Sequence, residues 1–224
     1  MRSFVFIFAN ELWENTLKKI IVAGIGTDVG KTVVAAILLK MTDGEYWKPI
    51  QSGSATDNDS RTVKTLVNNP SLICHPEAYR LAHPSSPHQS AHMEGITIEP
   101  QTITPPLSKK TLIIECAGGL LVPWTDYHLQ LDMMSRWDCS WILVSKTYLG
   151  SINHTLLSIE ALKNRNISLL GLIFNGDENT YTENVIKQHA KAKFYTRLKQ
   201  EPIINPQTIK YYGELWAHNL PKLI

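Results

Sequence analysis

Lys31 and Thr32 follow Gly30 directly at the end of Gly24–Thr32 (GIGTDVGKT), an arrangement suited to phosphate. Backbone N–H groups in a glycine-containing loop form a concave anion site, and a helix opening at its end adds the positive end of its dipole. Lys31 would reach the β and γ phosphates of a nucleotide, and the Thr32 hydroxyl would bind Mg²⁺. The usual GxxxxGK[ST] spacing places glycine at position 25, where this chain has Ile25; its glycines are at 24, 26 and 30. The rival reading is a glycine turn that happens to precede Lys-Thr. The apolar run before the loop and the helical pattern after it speak against that.

Other residues have chemistry to offer. Lys48 follows an apolar stretch, where a second cation can stabilise charge on a transferred phosphoryl group; it can equally be a surface lysine before the turn-forming Pro49. Asp59 and Glu115 could complete a magnesium site with Thr32, because this hard cation takes carboxylates, hydroxyls, waters and phosphate oxygens. Glu115 ends an apolar run, a costly place for an unpartnered charge, whereas Asp59 alone could be a helix N-cap. Gly118 and Gly119 leave backbone amides open to a ligand. Gly150 to Asn153 lies between a strand and a helix, so its amides suit a carboxylate, and capping by Ser151 is compatible with that. Asn175 could read a purine edge, or Asn-Gly could simply mark a turn. His88 and His92 are four apart, but Gln89 stands where a zinc-protease pattern needs glutamate, so no metal is assigned to them.

These residues need a frame. Lys19 to Ala23 is a continuous apolar run, as in a strand buried on both faces, and Lys31 to Met41 suits a helix packed on a sheet. Further strands are expected at 46–50, 111–116, 140–145 and 168–175, and helices at 59–67, 129–137, 151–164 and 182–193. Alternation of this kind predicts a single-domain α/β fold of the P-loop NTPase type, a mostly parallel sheet flanked by helices with functional residues at the strands' carboxyl ends. Residues 70–106, rich in Pro, Ser and His, read as a long irregular excursion. The basic stretch 187–199 reads as a solvated helix face.

At 224 residues, with 43% hydrophobic and 19% charged side chains, the chain can bury one sizeable core. With 22 basic and 20 acidic residues the charge is too balanced for a nucleic-acid footprint. Cys74, Cys116 and Cys139 form no CxxC pair and read as reduced thiols in a cytoplasmic protein. The apolar run at Phe4–Ala9 is too short to span a membrane and makes a poor signal peptide. Residues 1–17 are read as an N-terminal arm, or as a translation start placed too early, ahead of a domain over 18–224.

The loop resembles that of the dethiobiotin synthetases, GTDTxVGKT, with Gly26 and Asp28 in place of the more usual Asp and Glu. WKPIQSGS (47–54), DND (57–59), IECAGG (114–119), LGSINH (149–154) and FN (174–175) follow in that family's order. Cys116 replaces a glycine, and QEPIINPQ departs from a glycine-containing turn. The resemblance implies ATP and Mg²⁺ dependence, catalytic Lys31, Lys48 and Thr27, and nucleotide binding by Gly26, Asp28, Val29, Gly30, Lys31, Thr32 and Asn175. It implies metal binding by Thr32, Asp59 and Glu115, and substrate binding by Ser52, Gly118, Gly119, Gly150 and Asn153. The implied reaction joins 7,8-diaminononanoate and CO₂ into a cyclic urea with ATP, in a homodimer. A P-loop switch ATPase and a catalytically silent nucleotide-binding regulatory module are the rival functions.

Overall fold

The computed structural model describes residues 18–53 and 58–219; the expected N-terminal arm and Asp57 of the DND motif lie outside them. Six strands form one parallel sheet: β1 (Lys19–Gly24), β2 (Glu45–Trp47), β5 (Leu112–Gly119), β8 (Ser140–Lys146), β9 (Leu169–Asn175) and β10 (Phe194–Leu198), in the order β10-β9-β8-β1-β5-β2. Small paired strands, β3 (Ile50–Ser52) with β4 (Tyr79–Leu81) and β6 (Pro123–Thr125) with β7 (His128–Leu129), stand outside it.

The period-two alternation of a strand explains the layers. On β1, Ile21 and Ala23 enter one core cluster, while Ile20 and Val22 enter the other. On β5, Leu112, Ile114 and Cys116 face the first cluster and Ile113 the second, so Glu115 falls on the Ile113 face. That face is covered by α1 (Lys31–Thr42), α2 (Asp59–Val67) and α7 (Pro206–Asn219), with α1 packed between the other two. Such a position explains why α1 is apolar nearly all round, with Val34 to Leu38 fully buried. The opposite face carries α4 (Gln130–Met134), α5 (Ser151–Lys163) and α6 (Thr180–Ala190). A further helix, α3 (Pro87–Glu94), packs on β3, β4 and β6.

Several expectations need correction. The strand expected at 46–50 is broken by Lys48-Pro49: β2 joins the main sheet, and β3 leaves it to pair with β4. Proline lacks the N–H that a continuing ladder would need. The excursion over 70–106 holds β4, α3 and a 3₁₀ turn at Pro100–Thr102. The helix expected at 129–137 is only α4, preceded by the β6–β7 hairpin. The basic stretch 187–199 is not one helix face, because α6 stops at Ala190 and Phe194–Leu198 is the edge strand β10. Among the described residues, no helix is long and apolar enough to cross a membrane.

Candidate active site

With every strand of the main sheet parallel, the loops after their carboxyl ends share one edge, where ligands of open α/β sheets bind. The loop from Gly24 to Gly30 leaves β1 there, and Ile25 prolongs the strand by donating its N–H to Val144 O at 3.1 Å. Ile25 therefore acts as sheet, packed against both core clusters, and the loop proper turns later than in the common pattern. Gly30 sits at φ +96°, and a Cβ there would lie 2.4 Å from Asn175 Nδ2. Only glycine fits that position.

Lys31, 7% exposed, donates to Gly26 O at 2.8 Å, so its ammonium closes the loop on itself. Burial lowers its pKa, an effect that the nearby Glu115 charge opposes. A phosphate oxygen can take over the hydrogen bond now made to Gly26. At the next position, in the first turn of α1, Thr32 Oγ1 lies 2.8 Å from Glu115 Oε1 and 3.0 Å from Asp59 Oδ1. A hydroxyl has one proton and can donate to only one of these carboxylates at a time. Such crowding of acceptors suits a cation.

Lys48, 6% exposed and hence no surface lysine, bonds to Asp59 Oδ2 and lies 3.8 Å from Glu115 Oε1. Burial would depress its pKa, but Glu115 and Asp59 outweigh that and raise it. For Asp59 burial acts upward and Lys48 downward, and the lysine prevails. Glu115, 1% exposed, is held above the ordinary carboxylate range by burial in spite of Lys48. Capping of α2 falls to Asn58, whose side chain accepts from Arg61 N at 2.7 Å, so Asp59 is not spent on it. Two lysines and two carboxylates thus balance in a cavity of about 330 Å³ that Thr27, Asp28, Thr32 and Gly118 also line.

For magnesium, two carboxylates and a hydroxyl form a hard oxygen set of the right size, since this ion commonly keeps waters and substrate phosphates as its remaining ligands. His88 and His92 join no such set: His88 Nδ1 bonds Ser86 Oγ at 2.9 Å, and no cluster of three or more His, Cys, Asp or Glu side chains suited to a metal occurs among the described residues.

The outer residues divide. Gly118, at φ +61°, stands against Thr27, and Gly119 against the Gly26 backbone, which closes one wall. Ser52 Oγ is buried with no protein partner among the described residues, a loss of about 1–3 kcal/mol unless a ligand supplies one. Asn175 donates Nδ2 to Val29 O at 2.9 Å, bracing the loop, and borders a separate cavity of about 380 Å³ with Lys146, Thr147 and Lys199. Gly150 and exposed Asn153 open α5 away from the phosphate cavity; Gly150 occupies the cap position with no side-chain bond, so Ser151 does not cap. Cys116 lies behind the site, its Sγ 3.7 Å from Met134 Sδ and its pKa pushed up to about 12 by burial.

Sequence reasoning missed three supports. Tyr46 donates its hydroxyl to Glu115 Oε2 at 2.8 Å, and burial and Glu115 keep the phenol protonated well above its ordinary value. Gln51 Oε1 accepts from Asp59 N at 3.2 Å. Gln130 accepts from Ala117 N at 2.9 Å and donates to Ala117 O and Gly119 O. A tyrosine in an apolar strand signals a hydroxyl in need of a partner, but nothing in the local pattern of Gln51 or Gln130 marks them.

Fold and loop together define a P-loop nucleotide-binding α/β protein. The family model described as an AAA domain matches residues 18–208. Solved structures share this architecture: a ParA family ATPase from Chlorobium tepidum (TM-score 0.52, 16% identity, 92% of this chain and 94% of that one) and the septum site-determining protein MinD from Pyrococcus horikoshii, complexed with Mg-ADP (TM-score 0.52, 11% identity, 92% and 98%). Curated relatives are nearer in sequence. ATP-dependent dethiobiotin synthetases from Chlamydia pneumoniae (45% identity, 89% of this chain and 90% of the relative), Chlamydia abortus (47%, 88% and 93%) and Christiangramia forsetii (45%, 91% and 98%) align over most of their length. The chain belongs to the ATP-dependent dethiobiotin synthetase family, and it is an ATP-dependent ligase of biotin biosynthesis.

Proposed function

We propose that this enzyme joins 7,8-diaminononanoate and CO₂ at the cavity beside Lys31 and Lys48. One amine takes up CO₂ as a carbamate, and a carbamate oxygen attacks the γ phosphorus of ATP, expelling ADP. The second amine then attacks the carbamoyl carbon, displaces phosphate and loses a proton, leaving the cyclic urea of dethiobiotin. No protein nucleophile is needed. In-line positioning and cations suffice, because the charge develops on phosphoryl and bridging oxygens.

The single observation that carries this reading is the meeting of Lys31, Thr32, Lys48, Asp59 and Glu115 around one cavity, from four separate stretches of chain. Magnesium held by Thr32, Asp59 and Glu115 would supply positive charge to the phosphate oxygens. Lys31 and Lys48 would bracket the transferred group, while Thr27 and the Ser52 hydroxyl, without a partner among the described residues, orient the carbamate and amine. Gly26, Asp28, Val29 and Gly30 would wrap the phosphates, and Asn175, with one amide hydrogen committed to Val29, would present the remainder to the base. Gly118 and Gly119 would face the diamine. Gly150 and Asn153 would take the substrate carboxylate across a homodimer interface, which accounts for exposed Leu121, Leu149, Ile152 and Leu157. We place the protein in the cytoplasm, where ATP is supplied.

Phosphate release from Mg·ATP, measured with and without diamine and bicarbonate alongside mass detection of dethiobiotin, tests the reading. Release that needs both additions and matches product is expected, with Lys31→Ala abolishing it. Release indifferent to both would instead identify a switch ATPase, and normal turnover by Lys31→Ala would refute the loop assignment.

A further inference from the structure

Glu115 divides its two oxygens. Oε1 turns toward the cavity, 2.8 Å from Thr32 Oγ1 and 3.8 Å from Lys48 Nζ, whereas Oε2 turns back into the core and accepts the Tyr46 hydroxyl at 2.8 Å. Register brings Tyr46 there. It pairs with Ile113 across β2 and β5, and Glu115, two residues on, projects from the same face as its diagonal neighbour. Tyr46 is 0% exposed and packs in the cluster beneath α1.

The last torsion of a glutamate is broad and roughly two-fold, so a carboxylate without a fixed partner samples many orientations. A charge-assisted bond from a buried phenol removes that freedom, because the ring is held by packing on every side. Oε2 would otherwise be a buried acceptor with its charge poorly satisfied.

We propose that Tyr46 is a positioning residue for the metal site: it fixes the Glu115 carboxylate so that Oε1 alone faces the cation, and thereby sets the site's affinity for the divalent ion. The inference rests on the reading of Glu115 as a metal ligand. Tyr46 touches neither nucleotide nor substrate in this scheme. Outer partners of this kind typically cost a site about ten- to a hundredfold in metal affinity when lost, and a bond to only one of three protein ligands belongs at the lower end.

The test is equilibrium binding of Mn²⁺ in the presence of ADP, read as loss of the free-ion electron paramagnetic resonance signal, on the whole chain. Tyr46→Phe keeps the ring and should bind Mn²⁺ about tenfold more weakly than the unaltered protein while showing a cooperative melt; Tyr46→Met is a second variant with the same expectation. In a Glu115→Gln background, Tyr46→Phe should change Mn²⁺ affinity by less than about twofold, because the carboxylate that it orients is gone. Equal affinity of Tyr46→Phe and the unaltered protein would overturn the inference, as would an undiminished loss in the Glu115→Gln background. Absence of Mn²⁺ binding by the unaltered protein would instead overturn the metal assignment beneath it.

Discussion

Replacing Lys48 by methionine keeps the length of the side chain and removes its charge, which leaves Asp59 and Glu115 facing each other across Thr32. The Thr32 hydroxyl oxygen lies 3.0 Å from one carboxylate and 2.8 Å from the other, so their near oxygens are at most about 6 Å apart. At an effective dielectric of about 20, two unit charges at that distance repel by about 3 kcal/mol. The figure agrees with the roughly 3–5 kcal/mol lost when one partner of a buried ion pair is removed. For a chain of this size it corresponds to a fall in Tm of about 6–12 °C.

Sign and pH follow from the shifts. In the unaltered protein Lys48 holds Asp59 below its ordinary value, so that stabilisation is present above the ordinary aspartate range and is lost as the pH drops beneath it. In Lys48→Met the crowded carboxylates take up a proton more readily, and acid relieves the repulsion. The gap in Tm between the two proteins should therefore be widest near pH 8 and should close toward pH 4. Millimolar Mg²⁺ at pH 8 should also narrow it, by supplying the missing charge. Thermal melts at several pH values, with Mg²⁺ or EDTA, provide the assay. A Lys48→Met protein that melts with the unaltered one at pH 8 in EDTA would refute the electrostatic account of the site.

Gly171→Ala places a Cβ 2.2 Å from the Phe194 ring across the β9–β10 pair, and should cost about 1–3 kcal/mol in urea denaturation, with Phe194→Leu giving back part of the loss. Glu183, buried at 4% exposure, bonds Arg197 and lies 3.3 Å from Lys187; burial alone would raise its pKa, but the Arg197 bond prevails and lowers it. Glu183→Gln should cost about 1–2 kcal/mol at neutral pH, and the difference should vanish in melts below the ordinary glutamate range, where that stabilisation is lost. Deleting residues 1–16 should leave the rate of dethiobiotin formation within about twofold of the full chain, if the domain begins near Lys18.

Much of this frame can be read directly from the chain, because β1, β5, β8 and β9 are apolar on both faces and bounded by glycine or polar residues. The phosphate loop is equally legible, since it depends on local backbone and on Lys31 and Thr32 alone. What escapes local reading depends on partners far along the chain. Phe194–Leu198 carries enough lysine around it to resemble a helix surface, and only pairing with β9, where Gly171 admits the Phe194 ring, makes it a strand. α7, absent from the expected helices, carries local signals of its own: Asn205 accepts from Thr208 N at 3.0 Å, Pro206 opens the helix, and Ile209, Tyr212 and Trp216 form its buried stripe. Tyr46 could be recognised as a buried hydroxyl, but its carboxylate partner lies 69 residues on.

The central place of β1 has a consequence for synthesis. Its first residue pairs with Leu112 on one side, and the strand meets β8, beginning at Ser140, on the other. A ribosome adding about 5–20 residues per second needs roughly 5–20 s to pass from Lys19 to Leu112, and longer to reach Ser140. Through that interval KIIVAG has neither of its neighbours, and it is a short, β-prone, weakly charged run without proline. The nascent chain must carry this apolar, centrally placed strand unpaired until half of the protein exists. Holdase chaperones should therefore engage this chain early, and fragments ending before β5 should aggregate rather than bind nucleotide.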